Sequence, residues 1–245
     1  MTRFENVTLY LGERKVLDNL SFSIEEGEMV LLVGGSGAGK STILRLVMGL
    51  IRPTSGRIIV NGQDITKMSE SQLLKMRRHF GIVFQEGALF DSLTVEENVG
   101  FYLRERMGMS PEEVHERVVQ ELTTLGLQNF LDYYPAQLSG GMKKRVAIAR
   151  ASIKNPECLL YDEPTAGLDP MSSQRVVDLM GELHRDRITT MIVTHEIHYF
   201  LDSVTRMMML SAGRIVYDGD PIADIHKWYG FDEVPKSVTN ETMED

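Results

Sequence analysis

The sequence predicts an α/β fold: a mostly parallel sheet, an antiparallel β portion at the N-terminus, and a block of helices inserted between two strand regions. Three observations predict it. Residues 29–48, MVLLVGGSGAGKSTILRLVM, join an apolar strand-like run to an apolar helix pattern through a glycine-rich turn. From residue 157 onward, short apolar or β-branched runs alternate with helical ones, the order of a parallel sheet with crossover connections. Between these regions, residues 86–155 look all-helical. The expected organisation is a core of 1–85 and 156–230 that includes the antiparallel part, a helical subdomain at 86–155, and an acidic tail at 231–245.

The glycine-rich turn carries the most chemistry. Gly34, Gly35, Ser36, Gly37, Ala38, Gly39, Lys40, Ser41 and Thr42 fit GxxxxGK[ST] between a strand and a helix, the context a P-loop needs. Glycines let backbone N–H groups curl around phosphate oxygens where side chains would obstruct. The positive end of the following helix faces the same anion. Lys40 can reach the β- and γ-phosphates, and the Ser41 hydroxyl can hold Mg²⁺. The pattern predicts a P-loop NTPase that binds a nucleoside triphosphate with Mg²⁺.

Upstream, residues 3–28 alternate apolar and polar through Phe4, Val7 and Leu9, then Val16, Leu17, Leu20, Phe22 and Ile24, with a turn-like LGERK between. Two or three antiparallel strands are expected. Another strand is expected at 57–60, closed by the hairpin signal Asn61-Gly62. Tyr10, near the end of the first strand, suits core or surface packing or, in a nucleotide protein, stacking on the adenine.

Downstream, Ser69-x-x-Gln72, Thr94-x-x-Glu97 and Ser110-Pro111-x-Glu113 are capping boxes, the last with proline at the first helical position. Residues 81–84 read as a short strand leading to Gln85. Val114, Val118, Leu122 and Leu125 repeat at helical spacing up to Gly126. Strands are expected at 157–161 and 189–193, helices at 172–183 and 196–201, and a hairpin at 206–217. In parallel sheets ligands sit at the carboxyl ends of strands. Gly34, Gln85, Asp162 and His195 each follow a strand end, so these four are expected to converge on one crevice.

The 245 residues, 42% of them hydrophobic, suffice for a full core. A net charge of −9 argues against a broad nucleic-acid-binding face, and no nucleic-acid partner is expected. The lone cysteine, Cys158, lies in an apolar run; it suits a reducing cytosol and reads as a small core residue. The N-terminus MTRFENVTLY has no apolar signal-peptide core, and no apolar run approaches the ~18 residues of a membrane span. A cytoplasmic protein is expected, reaching a membrane only through a partner.

Two carboxylates, Asp162 and Glu163, end an apolar strand, where they are costly unless they meet a cation or a polarised water. Asp162 can hold the Mg²⁺ shell, and Glu163 can orient or deprotonate an attacking water. His195 can reach a γ-phosphate. Residues 138–142, LSGGM, place a serine and two glycines at the start of the helix KKRVAIARA, a second anion site. One nucleotide already has its P-loop, so a dimer sandwiching two nucleotides is the economical explanation.

In order, the P-loop, Gln85, LSGG, YDEP, Gly167-Leu168-Asp169 and His195 resemble the nucleotide-binding subunit of ABC transporters, over essentially residues 3–220. The resemblance implies an ABC ATPase fold and the following roles. Tyr10 stacks on adenine; Gln85 touches Mg²⁺ and couples to the membrane subunit; Ser139, Gly140 and Gly141 contact the nucleotide of the other copy. Glu163 is the general base, Asp169 crosses the dimer, and His195 is the switch histidine. The implied partners are a second copy and two multispanning permease subunits, at the cytoplasmic face of the inner membrane.

One residue departs from the family pattern: Met142 stands where the signature commonly ends in glutamine. Any polar contact from that position is lost, but the phosphate-facing serine and glycines remain. LSGGM and the stretch FQEGALFDSLTVEENV resemble ATPases of MCE-type lipid transporters, including the Mla system that moves phospholipids between Gram-negative membranes. That resemblance implies an MCE-domain partner. A polar-solute importer ATPase, for instance for an amino acid, and a division-type ABC regulator remain open beside it. Ala88, Leu89 and Phe90 are either an apolar groove for a permease coupling helix or simply helical core. The tail after residue 230 is either solvated or, through Trp228, Tyr229 and Phe231, an arm that packs on a second copy.

Overall fold

The computed structural model describes residues 1–184 and 187–221. The chain divides into two compact units, residues 1–77 with 189–245, and residues 78–188.

In the first unit, β1 (Thr2–Leu11) and β2 (Arg14–Ile24) form an antiparallel hairpin, with Phe4 and Phe22 stacked at 4.5 Å between ring centres. β3 (Met29–Gly34) runs through the glycine-rich turn into α1 (Lys40–Val47). β4 (Ser55–Val60) pairs antiparallel with β1 and, across Asn61-Gly62, with the two-residue β5 (Gln63–Asp64), giving a sheet ordered β2-β1-β4-β5. α2 (Glu70–Met76) starts at the expected box, where Gln72 accepts from the Ser69 N–H at 2.8 Å.

The second unit begins with β6 (Phe80–Val83). α3 (Val95–Tyr102) and α4 (Pro111–Thr124) follow their predicted caps: the Thr94 and Ser110 hydroxyls each accept at 3.2 Å from the N–H three residues on. α5 (Gly140–Ser152) starts at Ser139, and β7 (Cys158–Asp162) lies parallel to β6. α6 (Pro170–His184) completes the unit. Val95, Val99, Val114, Val118 and Leu122 are buried, so the helical repeat seen in the sequence is the core face. Cys158, at the start of β7, is also buried, and burial pushes its thiol well above the usual range, which leaves it inert.

The chain returns to the first unit with β8 (Thr189–Thr194), then β9 (Arg206–Ser211) and β10 (Arg214–Gly219) as a hairpin. β3 lies parallel to both β8 and β9. All residues of β3 and β8 are buried, which is why these strands read as unbroken apolar or β-branched runs rather than alternating ones.

One element differs from expectation. Residues 196–201 do not form an α-helix; only a single 3-10 turn, Ile197–Tyr199, is present. Glu196 makes no side-chain cap, and a β-branched and aromatic run, Ile197-His198-Tyr199-Phe200, offers little helix propensity to sustain more than one turn. The tail at 231–245, with Trp228, Tyr229 and Phe231, lies outside the described residues.

Candidate functional site

In the first unit the turn after β3 has the shape its sequence foretells. Gly34 ends the strand against β9, where a Cβ would stand 2.4 Å from the Leu210 carbonyl oxygen. Gly39 caps α1 at φ 110°, a conformation no L side chain adopts readily, and α1 has no side-chain cap. Its first N–H groups therefore point into the turn formed by Gly35, Ser36, Gly37 and Ala38. Lys40 is 8% exposed and donates to the Gly34 carbonyl at 2.9 Å and to that of Gly35 at 3.3 Å. Ser41 and Thr42 occupy the next positions of α1, half-buried.

His195 follows β8, whose Thr194 sits beside Val33 of β3 in parallel register. The histidine and the glycine turn thus leave neighbouring strand ends of one sheet, as strand-end reasoning predicts, and His195 is exposed. Tyr10, 43% exposed near the end of β1, has the Lys15 ammonium 5.8 Å from its ring centre. Arg14 reaches over the glycine turn and donates to the Gly37 carbonyl at 3.2 Å.

In the second unit, Val83 of β6 and Tyr161 of β7 are the last paired residues, and Gln85, Asp162 and Glu163 lie just beyond them. Gln85 is exposed, Asp162 is half-buried and Glu163 is 8% exposed. Glu163 has φ 48°, the left-handed region that non-glycine residues rarely enter. Ser139 is the cap of α5, accepting from the Met142 N–H at 3.3 Å. Ser139, Gly141 and Met142 line a cavity of about 220 Å³ with Arg145, Ser172 and Arg175. Gly140 packs near Leu168, a Cβ there coming 3.2 Å from its side chain. Asp169 accepts from the Ser172 N–H at 3.0 Å, and hydrogen bonds from Ser172 hold its carboxyl below the usual range, so it stays ionised at neutral pH.

Gly34 and His195 belong to one unit, Gln85 and Asp162 to the other; each pair leaves neighbouring strand ends. Among the described residues no group of three or more His, Cys, Asp or Glu could cage a metal ion. Ser41 of the first unit and Gln85 and Asp162 of the second each carry the kind of oxygen that Mg²⁺ takes singly beside phosphates and its own waters.

Sequence reasoning missed Arg14, Lys144, Arg150 and Asn98. Arg150 donates at 2.8 Å to the carbonyls of both Gly87 and Ala88, and its guanidinium lies 5.8 Å from the centre of the Phe90 ring. Asn98, buried, accepts from the Phe90 N–H at 2.8 Å and has its amide nitrogen 3.0 Å from the carbonyls of Phe90, Leu93 and Thr94. The signal for Asn98 was visible: a polar residue on the buried side of an amphipathic helix needs a local partner. The loop they hold leaves Ala88 and Phe90 exposed and Leu89 half-buried, with Phe90 against Phe101 at 5.0 Å.

The family model described as ABC transporter matches residues 17–166, more than half of the chain. Over 213 residues the chain is 43% identical to the methionine import ATP-binding protein MetN of Carboxydothermus hydrogenoformans, a match covering 86% of this chain and 63% of that protein. It is 42% identical to Protein TRIGALACTOSYLDIACYLGLYCEROL 3, chloroplastic, of Arabidopsis thaliana, over 85% of this chain and 65% of that one. The chain therefore spans less than two thirds of the length of these relatives. Among solved structures, the ATP-binding cassette MJ0796, in a dimeric post-hydrolysis state bound to ADP and Pi, superposes with TM-score 0.83 at 34% identity, covering 91% of this chain and all of that one. No helix among the described residues is long and apolar enough to cross a membrane.

Proposed function

The chain belongs to the ABC transporter family, and from that premise we propose that it is an ATPase subunit using ATP with Mg²⁺, two copies of which drive a pair of multispanning permease subunits from the cytoplasmic face of the inner membrane. The observation that carries the catalytic part is Glu163: a buried strand-end carboxylate in a strained backbone conformation, in a chain that also has a complete P-loop. Strain and burial of this kind gather at functional sites.

In this reading the N–H groups of Gly35–Gly39 and the Lys40 ammonium bind the β- and γ-phosphates, with Thr42 beside them and Tyr10 against the base. Ser41, Asp162 and Gln85 hold Mg²⁺, which supplies neutralisation of phosphate charge. Glu163 takes a proton from the attacking water, and His195 holds the γ-phosphate side of that water. Ser139, Gly140 and Gly141 of one copy cover the nucleotide of the other, with Asp169 at the crossing. Met142 offers no donor there, so the hydroxyl and glycine N–H groups suffice. Residues 86–155 act as the helical module, and Phe90, held outward by Arg150 and Asn98, meets the permease.

For cargo we propose uptake of a polar solute of the amino-acid class. What supports this is the 43% identity to a methionine import ATPase, and to others of that name. A second reading, phospholipid transport with an MCE-domain partner, is favoured by LSGGM and FQEGALFDSLTVEENV and by a plant relative at 42% identity that bears a galactolipid's name. Tagged protein pulled from detergent-solubilised membranes and analysed by mass spectrometry tests both. Recovery of a permease, and ATPase activity stimulated by an amino acid with its soluble binding protein, is the expected result. A permease with an MCE protein and phospholipid would move the assignment to the second reading. A division-type membrane partner without cargo would overturn transport altogether.

A further inference from the structure

Lys144, on α5, is 5% exposed. Its ammonium donates to the backbone carbonyl of Gln85 and, at 3.0 Å, to that of Glu163. These two carbonyls occupy equivalent places. β6 and β7 pair in parallel up to Val83 and Tyr161, and Gln85 and Glu163 each lie two residues past that last pair. Beyond it the Glu163 carbonyl accepts from the Ala166 N–H at 3.3 Å as well as from the ammonium, which alone links it to Gln85 in this pair of bonds.

Glu163 needs such a tether. Its φ of 48° is held only where the surroundings over-determine it. A buried ammonium is also a demanding group: it stays buried only with strong acceptors, and once paired it fixes them in turn. We infer that Lys144 is a positioning residue that pins the Glu163 backbone in its left-handed conformation and ties it to the backbone of Gln85. The exposed Gln85 loop, which the proposed function turns toward the permease, and the buried carboxylate then shift together. The inference rests on the reading of Glu163 as the base. It also gives α5 a second duty: its N-terminus serves the signature serine, and its next turn sets the geometry of the base.

The test uses the full chain with its membrane partners, comparing the parent with Lys144→Met, Lys144→Arg and Glu163→Gln, and with Lys144→Met combined with Glu163→Gln. Lys144→Met keeps the length of the side chain and removes the donor. Its kcat is expected to fall between about 10- and 100-fold, the loss that goes with a misplaced catalytic group, while ATP affinity stays within about twofold. Lys144→Arg, which still donates, is expected to recover part of that loss. In the Glu163→Gln background, Lys144→Met is expected to add no further loss, because residues acting through one another are not additive. Unchanged turnover in Lys144→Met, equal loss in both backgrounds, or a parallel fall of ATP affinity and turnover would each overturn the inference. Should the Met variant not fold, Lys144→Leu, which likewise removes the donor, carries the same comparison. Retained hydrolysis in Glu163→Gln alone would instead strike the reading of the base, so the two failures are distinguishable.

Discussion

The Lys40 ammonium donates to the Gly34 carbonyl at 2.9 Å, so the residue that closes the glycine turn is bound to the residue that opens it. The charge is thereby held over the turn rather than swinging in solvent, and little side-chain freedom remains to be lost on meeting a phosphate. Lys40→Ala should weaken ATP binding by about 10- to 100-fold, the range for losing charge-assisted hydrogen bonds. Titration with a fluorescent ATP analogue checks this; unchanged affinity would contradict the phosphate-binding role.

Gly34 is required for a different reason. A Cβ there would meet the Leu210 carbonyl of β9 at 2.4 Å, and backbone cannot step aside as a side chain can. Gly34→Ala should destabilise the protein by about 2 kcal/mol through overpacking. The midpoint of urea unfolding measures it, and a midpoint equal to the parent's would refute the close approach.

Phe90 is 45% exposed while Asn98 and Arg150 hold the backbone around it. Truncating an exposed ring leaves no core cavity, so Phe90→Ala should cost stability less than about 1 kcal/mol. It should lower cargo transport several-fold more than basal ATP hydrolysis, assayed in reconstituted vesicles. Equal losses of both would return Phe90 to a folding role.

Lys154 supplies a pH signature. Burial lowers its pKa from the usual 10.5 to about 8, with Tyr102's ring centre 5.1 Å from its ammonium. Between those two values the unfolded chain binds more protons than the folded one, so this group makes stability rise with pH from about 8 toward 10.5. Below about pH 8 its burial cost is fully present. Lys154→Met should lose this rise, seen as a smaller increase in Tm than the parent's between about pH 7.5 and about pH 9.5. An identical pH profile in both proteins would contradict it.

Much of this was legible in the sequence. β3, β6, β7 and β8 announced themselves as apolar or β-branched runs because they are covered on their faces, and the three capping boxes start helices as read. Glycine and lysine spacing marked the P-loop because backbone conformation there admits few alternatives. The stretch 196–201 reads as a helix although only the turn Ile197–Tyr199 forms, because six residues of helical periodicity cannot be told from a single turn. Lys144 and Arg150 stayed hidden for another reason. Each looks like a basic residue on an amphipathic helix, yet Lys144 serves one carbonyl 59 residues away and another 19 away, and Arg150 serves carbonyls 62 and 63 away. Long-range contacts of that kind leave no local pattern.

The most direct test of the central claim compares the parent with Glu163→Gln for ATP affinity, steady-state hydrolysis and size of the assembly in ATP. Catalysis by a buried carboxylate base predicts near-parental affinity, turnover reduced by at least about 100-fold, and a stable ATP-bound dimer in the variant. Hydrolysis at the parental rate would contradict it and remove Glu163 from the chemistry.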